Sequence, residues 1–159
     1  YWFRYYLYTM IRKIFIFFLL IASFPAIKAQ NENEIIDRRK QAIQLLVETQ
    51  VACWNEGDLK GYMEGYWKSD SMQFISLKGI TFGYNQTLKN YESSWGAKPS
   101  LGRLSFRNLR IRPLDELQLL FQVTGDWMVS TDSEEDAGHF SLIVRFNGRV
   151  PKIIIDHTF

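Results

Sequence analysis

GHFSLIVRFNGRVPKIIIDHTF, residues 138 to 159, is two runs of alternating and β-branched residues broken once, at Asn147-Gly148. Asn-Gly between such runs is a strong hairpin signal, so the stretch reads as two antiparallel strands, 138 to 146 and 150 to 158. A two-residue turn at Asn147-Gly148 sets Ile155 opposite Phe140 and Ile153 opposite Leu142. Neighbours along a strand point to opposite faces, so Asp156 and His157 cannot form a side-chain dyad in a regular strand. On this register His157 shares the apolar face with Ile153 and Ile155 and points inward. Asp156 points outward, Gly138 faces His157 and His139 faces Asp156. A bulge at Pro151 moves partners by one and leaves the faces within each strand unchanged.

Further upstream the strand pattern continues at 103 to 112 and 117 to 130. Turns are expected at Pro113-Leu114-Asp115 and at the acidic run Ser133 to Asp136. Before residue 70 the period changes to helical. Ile35, Ile36, Ala42, Ile43, Leu46, Cys53 and Trp54 form a first stripe closed by Gly57. Asp58 stands at the N-cap of a second helix carrying Leu59, Tyr62, Met63 and Tyr66. Residues 72 to 77 read as a short strand, Gly79 and Gly83 as the bounds of a turn, and Leu88, Tyr91 and Trp95 as a third helix ending at Gly96. Helices first and a long antiparallel sheet after them describe an α+β domain.

The first 29 residues are set apart. Met10 is followed by Arg12 and Lys13, the apolar run Ile14 to Phe24, and Pro25, the layout of a secretory signal peptide. The expectation is a start at Met10, cleavage after Ala29, and a single domain over 30–159 that is exported to the periplasm or outside the cell. No membrane association is expected after cleavage, the charge-free run being about half of the ~20 residues a spanning helix needs. Removing Arg4, Arg12, Lys13 and Lys28 turns the net charge of +2 into −2. The remaining basic residues are interspersed with acidic ones, which gives no footprint for nucleic acid. One cysteine, Cys53, excludes an internal disulfide, and with only His139 and His157 beside it no metal-ligand spacing is present. Neither metal nor cofactor is expected. Asn85-Gln86-Thr87 is a glycosylation sequon.

The segments ACWNEGDLKGYMEGYWKSDSMQFIS, GITFGYNQTLKNYESSWG, LGRLSF, GHFSLIVRFNG and KIIIDHTF together resemble the NTF2-like superfamily, closest to its SnoaL-like, DUF4440-type branch. The resemblance spans nearly the whole chain after residue 29. It implies a cone in which N-terminal helices pack on a strongly curved antiparallel sheet. Pro151 departs from the pattern, since such sequences usually carry a tryptophan entering the last strand. Resembling proteins include isomerases, dehydratases and cyclases that use a pocket carboxylate or histidine as base, and also non-catalytic binding and assembly modules.

The aromatic content exceeds what a tight small core holds, and ligand pockets are lined in this way. Trp54, Tyr66, Tyr91, Trp95, Trp127, Phe140 and His157 are the expected pocket residues, with other aromatics filling the core. Three roles stay open for His157: a neutral, hydrogen-bonded core histidine, a general acid/base catalyst, or a ligand contact. Of the carboxylates, Asp126 and Asp156 share parity with polar positions, Asp58 caps a helix, and only Asp70 is a candidate at the pocket mouth.

The first functional expectation is a domain that binds a small, apolar or aromatic molecule between sheet and helices without catalysis. The second is a cofactor-independent isomerase or lyase of the ketosteroid-isomerase type using His157. The third is a homodimeric assembly module. Its contact would be the outward sheet face, where Leu120, Met128, Ile143 and Ile154 mix with Gln122, Thr124, Ser141 and Arg145.

Overall fold

A computed structural model describes residues 2–96 and 101–159. The chain divides into two units, Tyr1–Arg38 and Arg39–Phe159. Helix α1 is Trp2–Asn55. The side chains of the apolar run 14–24 and of Ala29 lie outside the described residues, and with them the expected cleavage site. Among the described residues no helix is long and apolar enough to cross a membrane.

The second unit carries the rest of the fold. Along α1, Ile43, Val47, Gln50 and Trp54 are buried, a stripe at helical spacing that faces the sheet. Gly57, at φ 78, releases the chain from the helix. Asp58 then caps the short α2 (Leu59–Met63) by accepting a 2.8 Å hydrogen bond from the Gly61 N–H, as its position in the sequence predicts. A hairpin follows, β1 (Gln73–Ser76) and β2 (Gly79–Phe82), then α3 (Tyr84–Trp95). The Gly79–Gly83 segment, expected as a turn, is largely β2. Gly79 at φ 117 makes the reversal, and Ile80 to Phe82 extend as a strand. The long strands are β3 (Arg103–Pro113), β4 (Leu120–Ser130), β5 (Glu135–Asn147) and β6 (Val150–Thr158).

Six strands form one sheet in the order β2-β1-β6-β5-β4-β3. All neighbours are antiparallel except β1 and β6, which pair in parallel, so the wholly antiparallel sheet expected from the sequence is corrected at that one ladder. Parallel neighbours need a long crossover, and here nearly the whole domain serves as the crossover. The inner face of the curled sheet buries Phe121, Val123, Val129, Phe140, Leu142, Val144, Phe146 and Ile153 against Ile43, Met63 and Tyr66. This is the expected α+β cone of helices on a strongly curved sheet.

The register of the last hairpin differs from the expected one twice. Asn147 pairs with Val150, so the two turn residues are Gly148 and Arg149, with Gly148 taking the positive φ (62) that such a turn needs. That moves the register by two and preserves the faces. The second change does not: Val144 pairs with Ile153 but Ile143 pairs with Ile155, leaving Ile154 as an extra residue on β6. A bulge inside a strand inverts the facing of everything beyond it. Ile153 therefore stays inward, while beyond the bulge Asp156 and Thr158 turn inward and His157 turns out. Leu142 sits opposite Asp156 and Phe140 opposite Thr158, in place of the expected Ile153 and Ile155. Pro151 lies before the segment of β6 that β1 pairs with, and so costs that ladder no hydrogen bond.

Candidate functional site

The reversed facing puts a carboxyl group where the sequence reading puts an imidazole. Asp156 is 3% exposed. Its Oδ2 accepts a 2.6 Å hydrogen bond from the Tyr66 hydroxyl and its Oδ1 a 2.6 Å bond from the Thr158 hydroxyl. Tyr66 reaches this place because residues 65 to 67 dock against the last strand: Trp67 N–H donates to the Ile153 carbonyl and Ile153 N–H to the Gly65 carbonyl. The approach at Gly65 is close: a Cβ there would stand 2.9 to 3.1 Å from the Gln50 side chain, which would have to move aside. The Tyr62 hydroxyl lies 3.5 Å from that of Tyr66, one helical turn away.

These polar groups sit in a cavity of about 720 Å³ between the sheet, the end of α1 and α3. Trp54, Tyr66, Tyr91, Trp95, Trp127 and Phe140, all expected as pocket residues, line it, and His157 does not. His157 is exposed on the other face of the sheet, its ring 5.1 Å from that of Phe159. An inward His157 is therefore excluded by the bulge at Ile154. No room is left beside Gly138 either, because a Cβ on it would meet the Phe159 carbonyl oxygen at 2.2 Å and Trp127 Nε1 at 2.8 Å. Asp70 is exposed and lies outside the cavity lining. Residues that the sequence reading left out of the site are Asp156, Thr158, Tyr62, Phe74 and Gln50.

The aromatic wall is continuous. Trp54 is in edge contact with Tyr62, Tyr91 and Trp95 at 5.4, 6.2 and 5.0 Å, and Tyr91 with Phe74 at 5.7 Å. Two residues of the Trp-Asn-x-Gly-Asp segment fix this wall to the sheet. Trp54 Nε1 donates to the Gly102 carbonyl at 3.2 Å, while Asn55 brackets Leu104 by donating to its carbonyl and accepting from its N–H. The indole N–H of Trp127, a residue of the cavity lining, is buried without a hydrogen-bond partner.

Burial in this apolar shell raises the Asp156 carboxyl above its usual range, opposed by the hydrogen bonds from Thr158 and Tyr66. Burial likewise pushes the Tyr62 hydroxyl up to about 12, with the Asp156 charge acting in the same direction. Tyr66 and Tyr91 are held well above the ordinary tyrosine value, by burial first, then by the Asp156 charge for Tyr66 and by Tyr62 ahead of Asp156 for Tyr91. The tyrosines are thus neutral donors around one carboxyl group. A second, exposed polar network lies on the outer face: Asp126 accepts from Asn108 at 2.5 Å and pairs with His139 Nδ1 at 2.7 Å. Among the described residues no group of histidine, cysteine, aspartate and glutamate is placed to hold a metal ion.

No family model and no curated protein matches the chain. Solved structures do. An NTF-2 like protein of unknown function from Shewanella oneidensis is 31% identical with a TM-score of 0.69, over 75% of this chain and 97% of that one. An NTF2-like superfamily protein from Salmonella enterica shares the fold at 17% identity and TM-score 0.64, over 76% and 89% of the two chains. An NTF2-like protein of unknown function from Pseudomonas putida does so at 15% identity and TM-score 0.60, over 73% and 82%. With nearly all of the Shewanella protein covered at that identity, and with the cone and cavity described above, this chain belongs to the NTF2-like superfamily.

Proposed function

We propose that the domain binds a small, largely apolar or aromatic molecule in the cavity between sheet and helices, with Asp156 and Tyr66 anchoring a polar group of that molecule. The observation that carries this reading is a buried carboxyl group, hydrogen-bonded to a tyrosine, in an aromatic cavity of about 720 Å³. Such volume suits a ligand of ordinary drug size, and pockets of this kind combine an apolar wall with a few polar groups. A thermal-shift screen of small aromatic and carbonyl compounds tests it. Hits on the wild type should be lost when Trp54→Leu opens the wall, and a set of hits unaffected by that change would refute the reading.

A second reading is favoured by the raised pKa of Asp156 and by its contact with a tyrosine. It is a cofactor-independent isomerase or lyase in which Asp156, in place of His157, removes a proton from the carbon beside a carbonyl group while a tyrosine O–H donates to the developing enolate oxygen. Deuterium incorporation from D2O into a bound cyclic ketone, absent in Asp156→Asn, is its signature. The SnoaL-like, DUF4440-type assignment belongs with these two readings.

Export of the mature domain and homodimer formation through the outer sheet face complete the proposal. On that face Ile143 and Ile155 are half-buried beside the polar ladder in which Arg112 donates to Gln122 and Gln122 to Ser141. Sedimentation of the wild type as a dimer, and of Ile143→Glu as a monomer, is the result expected, since an unpaired charge buried in an apolar contact is costly.

A further inference from the structure

Asp156 is a buried carboxylate without a cation. Its hydrogen-bond partners are the hydroxyls of Tyr66 and Thr158, one to each oxygen. A carboxylate offers about four acceptor sites, so about two are left for whatever enters the cavity. The charged groups in the lining are few: among the described residues they are Asp156, Asp136 and Lys78, the last two exposed at the mouth. The groups that face Asp156 from the packed elements are Tyr62 and Tyr66 at α2 and after it, Tyr91 on α3, and Thr158 on its own strand, all neutral. His157 acts on it only from the far side of the sheet. Around this single negative group stand the ring faces and edges of Trp54, Tyr62, Phe74 and Tyr91.

We infer that the ligand is a protonated amine with an aromatic or bulky apolar body, its ammonium group seated on Asp156 inside the aromatic wall. The inference rests on the reading of the cavity as a ligand site and adds the charge of the ligand. A ketone or a carboxylate presents acceptors to an acceptor, which is repulsive for the ionised form of Asp156. An alcohol can donate once but leaves the negative charge uncompensated in an apolar shell, where an unpaired charge is expensive. An ammonium supplies up to three donors, which the open sites on Asp156 and the lone pairs of the Tyr62 and Tyr91 hydroxyls can take. It also cancels the charge, and cations are attracted to the faces of tryptophan and tyrosine rings.

The test is a matched set of probes of one shape: naphthylethylamine, naphthylethanol and naphthylacetate, titrated calorimetrically into wild type, Asp156→Asn and Tyr66→Phe at neutral pH. The amine should bind the wild type at least about tenfold more tightly than the alcohol, with the acid weakest. Asp156→Asn should erase that preference, and Tyr66→Phe, which keeps the carboxylate, should retain it. Should Asp156→Asn fail to fold, the order of the three probes on the wild type and on Tyr66→Phe still decides the question. Alcohol or acid binding as well as the amine, or an amine preference that survives Asp156→Asn, overturns the cationic-ligand inference and leaves the cavity reading standing. Failure of all three probes to bind overturns both.

Discussion

The Tyr66 hydroxyl and the Asp156 carboxyl group, 90 residues apart in sequence, are joined by a 2.6 Å hydrogen bond inside an aromatic cavity. The bond exists because a parallel contact brings residues 65 to 67 to Ile153 and a bulge at Ile154 then turns Asp156 inward. Both groups are out of water, and the polar character of the cavity floor depends on them.

The first consequence is a pH dependence of stability. Burial raises the Asp156 carboxyl above its usual 3.8, so the folded state holds this proton more tightly than the unfolded state does. The contribution of Asp156 is then most favourable below the unfolded value and is lost as pH rises through the folded value. Asp156→Asn, which carries no charge, should melt at a higher temperature than the wild type at neutral pH, and the gap should close as the pH falls below about 4. Melting curves from pH 3 to 8 check this. A gap that widens on acidification would show the carboxylate to be net stabilised in the fold.

The bulge makes a second, sharper prediction on β6. Ile153 is wholly buried, whereas Ile155, beyond the bulge, lies half-buried on the outer face. Ile153→Ala should cost about 2 to 5 kcal/mol and Ile155→Ala about 1 kcal/mol or less. Chemical denaturation of the two variants measures both. Equal losses would place the two isoleucines on one face, as a regular strand would.

Gly138 gives a third. Its Cα lies so close to the Phe159 carbonyl and the Trp127 indole that an added methyl would overlap both. Gly138→Ala should destabilise by about 1 to 3 kcal/mol, as overpacked positions do. An unchanged denaturation midpoint would mean that β5 and the chain end separate easily there.

These cases also mark what could be read in the sequence. The helix stripe through Ile43 and Trp54, the Asp58 cap and the four long strands were legible, because each is written in local periodicity or turn chemistry, and six aromatic cavity residues were legible from the surplus of aromatic side chains. The facing of Asp156 and His157 was not. Alternation counts residues, and nothing in Ile153-Ile154-Ile155 marks which of three similar side chains is the extra one. The spacing of Asp156 and Thr158, two polar residues on one face beside a histidine on the other, was the available hint. The strand β2 was missed for a related reason: two glycines so close together read as turn punctuation, and its pairing with β1 is tertiary information. The parallel β1–β6 ladder joins segments about 80 residues apart, beyond the reach of any local pattern.

On the proposed function the cavity, and not the outer surface bearing His157, receives the ligand. The most direct measurement is a proton–nitrogen NMR titration with naphthylethylamine and naphthylethanol, following the indole N–H signals of Trp54, Trp95 and Trp127 and the imidazole of His157. Saturable shifts of the indole signals with a still imidazole are predicted for whichever probe binds. Movement of the His157 signals with unmoved indoles would contradict the account.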